Sequence, residues 1–409
     1  MRAAGIIAPL VAALIALAPL PLHAADAAFQ QFLQSLRPQA EKLGISARTF
    51  DAAISCLEPD LSLPDLVIPG QPKRQDASQP EFVQTPADYV KEASLARLAS
   101  QGRVLAAEYR LALGRIEREI GVPAPVVLAI WGRETAFGRY SLGHDAIRVL
   151  ATQAYVGRRK DQFRQEFLLA LKMLEEGHVT LADMRSSWAG AMGLTQFLPT
   201  DFFNNAVDFD GDGRRDIWTS VPDALASAAK QLVDKGWQRG RRWAYEVRAP
   251  RNVDCTLGDP ERTRPIGEWL KLGFTPAHGR KLRADELAEE AALLLPAGIY
   301  GPAFLMPKNY FVIKEYNFSD LYVLFVGSLS DRIGGRPAFE APWQKVVPLR
   351  TNEVEAMQQR MTELGLYRDK IDGKAGMKTR LALGAYQKAQ GLSVDCWPTS
   401  TVLSHMQGR

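Results

Sequence analysis

The chain has 409 residues, of which 46% are hydrophobic and 23% charged, with a formal charge of +4. That is room for two or three domains with a full core, in a composition ordinary for a soluble globular protein. The small charge, spread along the chain, gives no sign of a nucleic-acid partner, whereas a mildly basic surface suits an anionic polymer.

The first 25 residues read as a secretory signal. Arg2 supplies the positive start, Ile6 to Ala18 is apolar, Pro19 and Pro21 break the run, and Ala24 and Ala25 offer a small-residue cleavage site. An uncleaved anchor is the alternative, but the short apolar core and the prolines fit cleavage better. No cysteine follows the apolar stretch, so the exported chain is expected in the periplasm without a lipid and with no membrane span. Cys56, Cys255 and Cys396 are too few for a disulfide framework. One pair can form, but buried structural cysteine is the default expectation, and their spacing does not resemble a metal site.

Phe29 to Cys56 reads as an amphipathic helix, and Leu57 to Pro86, rich in Pro and Asp, as an extended wrapping segment. A long helical stretch follows from about Tyr89 to Ile120, ended by Gly121 and Pro123. Pro125 opens the next helix, which places Glu134 near its C-terminal end with Gly138 as the expected cap. Phe163, Phe167, Leu171 and Leu174 recur at helical spacing up to Gly177, and Ala224 to Val233 forms another helix closed by Gly236-Trp237. Tyr310 to Ile313 and Leu321 to Leu329 are apolar and of ambiguous type. The body, residues 27–335, is therefore expected to be mainly helical. Residues 336–348, proline-rich, read as a linker, and 349–409 as a compact helical module too small to be an enzyme of this kind alone.

Glu134 lies in the run A-I-W-G-R-E-T-A-F-G, and a Gly/Ala-rich segment, S-W-A-G-A-M-G-L-T-Q-F-L-P-T from Ser187 to Thr200, follows. Most glycosidases need two carboxylates across the scissile bond. A single acid near neutral pH donates a proton when an apolar surround raises its pKa, and Trp131 and Phe137 are candidates for that surround. Taken alone, Glu134 reads more simply as an exposed helix glutamate paired with Arg133 or Arg139.

The order of motifs decides otherwise. The segments around Glu134, Arg158-Arg159, Ser187 to Thr200, Asp208 to Trp218, and Y-N-F-S-D-L-Y from Tyr316 to Tyr322 together resemble the lytic murein transglycosylases of the membrane-bound transglycosylase B family, glycoside hydrolase family 103. The resemblance covers roughly Phe29 to Gly335. It implies a lysozyme-like α+β core with extra helical lobes. It also implies non-hydrolytic cleavage of the β-1,4 bond between N-acetylmuramic acid and N-acetylglucosamine in peptidoglycan. Glu134 would be the sole acid/base, and the muramyl 6-hydroxyl the nucleophile, leaving a 1,6-anhydro end. Rival readings are a lysozyme-like hydrolase and a non-catalytic wall-binding protein.

Carried over residue by residue, Ser187 and Gln196 would bond the sugar, while Met192 and Phe197 would wall the cleft. Gly190 and Gly193 would allow close backbone approach. Arg158 and Arg159 would meet lactyl or peptide carboxylates. Asn317 and Tyr322 would be late cleft residues, Tyr322 orienting the acid. Where many relatives carry a sugar-stacking tyrosine, this chain has Gln231.

Asp208, Asp210, Asp212 and the Arg214 carbonyl alternate around Gly213 as oxygen ligands do in an EF-hand loop. The resemblance adds Asp223 as the closing ligand in place of the usual glutamate. One structural Ca²⁺ and no organic cofactor are the expectation. Leu349 to Met406 resembles the three-helix peptidoglycan-binding domain of wall enzymes, carried by Met357-Gln358, I-D-G at 371–373, Thr379-Arg380, Tyr386-Gln387 and Asp395. Cys396 stands where many of those domains have glycine. The implied partners are peptidoglycan strands and other enzymes of wall synthesis or turnover.

Overall fold

The computed structural model describes residues 22–68 and 84–408, with side chains from residue 27 onward; the expected signal segment lies largely outside the described residues. The architecture is mainly helical, as anticipated, but local breaks subdivide the helices. The single helix expected over Phe29 to Cys56 is three: Leu22–Ser35, Arg37–Lys42 and Ala47–Ile54. Pro38 starts the second, Gly44 turns the chain at φ +79°, and the Ser46 hydroxyl caps the third by accepting from Thr49 N–H at 3.2 Å. The stretch from Tyr89 likewise divides at Tyr109 into Glu92–Glu108 and Arg110–Glu119.

Residues 57–68 do wrap, running along helix Ala146–Val156. Leu63 and Leu66 bury against Val149 and Val156, and the segment's polar groups are met by the helix: Gln153 Nε2 donates to Pro64 O at 3.0 Å, and Thr152 Oγ1 accepts from Asp60 N–H at 2.9 Å. The remainder of the expected wrapping segment, 69–83, lies outside the described residues.

The two largest hydrophobic clusters organise the helical part of the body. One collects the N-terminal helices, Ala146–Val156 and Lys160–Glu175. The other is built on Ala124–Thr135, whose residues 126–132 are all buried, packed against Asp320–Ile333. The apolar run from Leu321 is thus a helix, and an all-round apolar one, which is why it lies wholly inside. Each of its fully buried leucine, valine or phenylalanine side chains contributes about 1.5–3 kcal/mol of transfer free energy.

The sequence pattern did not disclose a five-stranded antiparallel sheet, ordered Arg264–Pro265, Glu290–Leu294, Ala303–Met306, Tyr245–Arg248, Thr275–Pro276. Leu293 faces Leu305, and Phe304 faces Glu246 across it. A second short pairing, His144 with Ser186 and Asp145 with Arg185, brings the start of helix Ala146–Val156 beside the Ser187 loop.

The C-terminal module has the three expected helices, Thr351–Glu363, Met377–Ala389 and Ser400–Met406. The preceding linker is laid down rather than free. Glu246 accepts from the N–H groups of Glu340 (2.8 Å) and Ala341 (3.0 Å), Gln344 N–H donates to Tyr300 O, and Phe339 and Trp343 pack on the second core. Cys255 and Cys396 are buried but form a disulfide across 141 residues, joining the module to the sheet region; Cys56 is free and exposed. The one pair that the sequence allowed has formed with one thiol left over, and the expectation of burial fails at Cys56.

Candidate active site

Glu134 occupies the penultimate position of helix Ala124–Thr135 and is half-buried. The helix ends on three successive left-handed residues, Ala136 (φ +49°), Phe137 (+61°) and Gly138 (+75°), so the cap is Ala136 rather than the expected Gly138. Two non-glycine residues in that region cost about 1–2 kcal/mol each. Packing offsets the cost: the Phe137 ring lies on Gly132, where an added Cβ would come within 2.7 Å of it, and edge-on to Trp131 at 5.5 Å. Trp131 and Phe137 therefore belong to the core beneath the helix end. The aromatic groups that meet the carboxylate come from elsewhere.

They are Tyr322, which bonds it, and Tyr316, which stacks behind Tyr322 and feels its charge. The Tyr322 hydroxyl donates to Glu134 Oε1, and its ring is buried and stacked on Tyr316 at 6.3 Å with 10° between planes. Burial first, then the Glu134 charge, pushes both phenols well above their usual pKa, so both remain proton donors. Tyr316 donates to Thr195 O at 2.7 Å, tying this pair to the glycine-rich loop. Thr135, next to Glu134, donates to Leu194 O at 2.8 Å and accepts from Gly138 N–H. Arg133 donates to the Tyr89 hydroxyl at 3.1 Å and lies over the rings of Tyr89, Tyr322 and Phe325. Tyr316, Thr195 and Thr135 were not singled out from sequence, although all three sit inside the motifs read there.

The loop from Ser187 to Phe197 is pinned close to this helix end. An added Cβ at Gly190 would come within 2.3 Å of Leu150, and one at Gly193 within 2.6 Å of Ile217 O, so both positions need glycine for packing as well as for positive φ. The Ser187 hydroxyl accepts from Ala189 and Ala191 N–H, and Gln196, left-handed at φ +57°, donates to Gly193 O at 3.0 Å. Both side chains are half-buried and shape the loop. Met192 (0% exposed) and Phe197 (1%) do not wall a cleft; they are paired backbone to backbone and sealed in the core under the loop. Beneath them Glu166, buried, accepts from Thr200 N–H and hydroxyl, both at 2.9 Å, while burial raises its pKa.

Arg158 and Arg159 are exposed and share one acid. Asp65 of the wrapping segment meets Arg158 at 3.0 Å and Arg159 at 3.8 Å, and its carbonyl accepts from Arg158 N–H. Asn317 is half-buried, and its carbonyl accepts from Ser319 N–H at 2.6 Å. Gln231 is buried and donates to Asp201 Oδ1 at 3.3 Å; Asp201 Oδ2 accepts from Leu198 N–H. Asp201 is a second acid whose charge reaches Tyr316, but these bonds hold both its oxygens. Gln231 thus occupies a buried bracing position.

Asp208, Asp210 and Asp212 bring one carboxylate oxygen each within 4.8 Å of one another, all exposed, on a loop turned at Gly211 (φ +82°) and Gly213 (+91°). Hard oxygen donors on such a loop fit a Ca²⁺-sized cation. Asp223 lies outside that group, contrary to its expected place as closing ligand. It is fully buried, and its oxygens accept from the N–H groups of Phe209, Asp210 and Asp216 at 2.8–3.1 Å. Burial raises its pKa against those bonds. It braces the loop from inside. Arg214 N–H donates to Asp212 Oδ1 at 2.8 Å, which fixes the turn that carries the Arg214 carbonyl.

Residues 28–331 match the transglycosylase SLT domain, and 350–406 match a peptidoglycan binding domain. The chain belongs to the transglycosylase SLT family and carries a C-terminal peptidoglycan-binding domain. It is 30% identical over 227 residues to membrane-bound lytic murein transglycosylase B of Escherichia coli (strain K12), covering 55% of this chain and 61% of that one. It thus spans about three-fifths of that relative's length. Among solved structures it is similar to SltB3 of Pseudomonas aeruginosa in complex with NAG-NAM-pentapeptide, at 39% identity over 92% of this chain and 99% of that one, with a TM-score of 0.84. SltB1 of the same organism is 26% identical over 75% of this chain and 97% of its own, with a TM-score of 0.60.

Proposed function

We propose that this protein is a lytic transglycosylase that cuts the MurNAc–GlcNAc β-1,4 bond of peptidoglycan without water. One observation carries the reading: a half-buried carboxylate at a helix end, Glu134, takes a hydrogen bond from a buried phenol, Tyr322, beside the pinned Ser187–Thr200 loop. As the acid, Glu134 protonates the bridging oxygen while the bond to the muramyl anomeric carbon breaks. As the carboxylate, it takes the proton of the 6-hydroxyl as that oxygen bonds to the same carbon, which closes the 1,6-anhydro ring and restores the acid. A phenol held neutral by burial steadies the carboxylate between these steps. Asp201, the other acid near this group, is braced by Leu198 N–H and Gln231 on its two oxygens, which suits a structural role.

Arg158 and Arg159 suit the acidic stem peptide or lactyl group, with their affinity moderated by Asp65. Ser187, Gln196 and Asn317 offer backbone and side-chain polar groups along the same loop and turn. The protein would act in the periplasm after export, with its signal segment removed. None of the helices among the described residues is long and apolar enough to cross a membrane. Asp208, Asp210 and Asp212 would hold one structural Ca²⁺, which when bound would offset two of their three negative charges. The Escherichia coli enzyme Slt35, 24% identical over 76% of this chain and 94% of its own with a TM-score of 0.58, shares the fold and was solved with calcium.

Digestion of purified sacculi followed by mass spectrometry tests the reaction. Anhydro-muramyl ends are expected. Reducing muramyl ends alone would make the enzyme a hydrolase.

A further inference from the structure

Besides its disulfide, the C-terminal module touches the catalytic body at the start of the helix that carries Tyr322. Met377, at the start of helix Met377–Ala389, joins the hydrophobic cluster that contains Leu321 and Tyr322. In the same turn Arg380 donates to Ala375 O at 2.6 Å and brings Nη2 within 3.6 Å of Asp320 Oδ2. The two side chains are only 11% and 10% exposed. Asp320 is the first residue of the helix that carries Tyr322. Its other oxygen accepts from Tyr310 Oη at 2.9 Å and Lys314 Nζ at 2.5 Å. Burial opposes its charge, but Lys314 and Arg380 outweigh burial and hold the carboxyl below its usual range.

Asp320 and Tyr322 lie in one turn, about 3 Å apart along the axis, so the end of the helix cannot shift at one without shifting at the other. Removing Arg380 would leave Asp320 held by Lys314 and Tyr310 on Oδ1 alone, with Oδ2 buried and its cation gone, so the carboxylate is drawn toward the Lys314 side or toward water. The element free to relax here is the first turn, and the group it carries touches Glu134. We infer that Arg380 of the peptidoglycan-binding module is a positioning residue for the reaction, setting the Tyr322 hydroxyl against Glu134 through Asp320. The inference rests on the reading of Glu134 as the acid/base. It makes the module a support of the active site as well as an anchor on the wall.

The test uses the full chain and a soluble muropeptide tetrasaccharide. Arg380→Gln should lower kcat about tenfold with KM within about twofold, the signature of a displaced transition-state contact. Arg380→Lys should recover most of the loss. In a Tyr322→Phe background, where the contact is already gone, Arg380→Gln should add less than about twofold. A kcat unchanged by Arg380→Gln, a rise in KM alone, or a full further loss on top of Tyr322→Phe would each overturn the inference. If Arg380→Gln does not fold, Asp320→Asn, which keeps the shape and removes the charge, takes its place with the same expectations. Turnover surviving in Glu134→Gln would instead remove the reading of the acid itself. A dead Glu134→Gln beside a fully active Arg380→Gln removes only this inference.

Discussion

Two neighbouring segments, Ser187–Thr200 and Asp208–Asp223, each hang on a buried carboxylate and yet present opposite chemistry. Glu166 holds the first through Thr200, and Asp223 holds the second through three backbone N–H groups. In both, burial raises the pKa of the bracing acid, and hydrogen bonds from the loop compensate. In the first segment the side-chain polar groups of Ser187 and Gln196 are bonded to the loop's own backbone, so its shape needs no ligand. In the second, three carboxylates are held together at the surface, an arrangement that a cation completes. The same device therefore serves pre-organisation in one place and charge concentration in the other.

That contrast breaks most visibly at the acid. Glu134→Gln should lower turnover on sacculi by about a thousandfold or more while pull-down on sacculi is retained. Asp208→Asn with Asp210→Asn should leave turnover within about twofold. Equal losses in the two variants would erase the distinction. Next in size, Tyr322→Phe should cost about ten- to a hundredfold in kcat, because it removes a donor aimed at the reacting carboxylate. Steady-state kinetics on a soluble muropeptide would show it, and an unchanged kcat would leave the phenol as core filling.

The acidic segment should respond to metal instead. Calcium at about a hundred times its dissociation constant should stabilise the wild-type protein by about 2–3 kcal/mol, and the double Asn variant by none. Thermal unfolding with calcium and with a chelator reads this directly. Smallest is a pH effect at Glu166. A carboxyl raised in the folded state still holds its proton there over a range in which the unfolded chain has lost it. Stability contributed by this group therefore falls as pH climbs past the ordinary glutamate range toward the folded pKa. Glu166→Gln should flatten that slope in urea titrations across the carboxylate range. A slope identical to wild type would place the pH dependence elsewhere.

Much of this arrangement was legible before any coordinates. The motif order located Glu134, its loop and Tyr322, and the proline and glycine positions bounded most helices. The sheet stayed hidden because its strands are two to five residues long. Those in the middle, Glu290–Leu294 and Ala303–Met306, are buried on both faces, so no alternation marks them. Met192 and Phe197 were misplaced because a glycine-rich loop allows a residue to face either side of the chain. Glu166 was invisible because, among Phe163 and Phe167, it reads as a solvated helix glutamate, and its partner Thr200 arrives only after another loop. Asp223 shows the limit of carrying a ligand across a resemblance. Its burial, not its charge, decides what it does here.

The disulfide, the docked linker and the Arg380–Asp320 pair leave the wall-binding module without a tether to swing on. A flexible linker would let one anchored molecule sample cuts over a range of distances, weighted by chain entropy. A module fixed at both ends converts that range into a single span. If the chain cuts glycan as proposed, the distance from the bound wall to the cut would be set by the folded protein, a ruler rather than a leash.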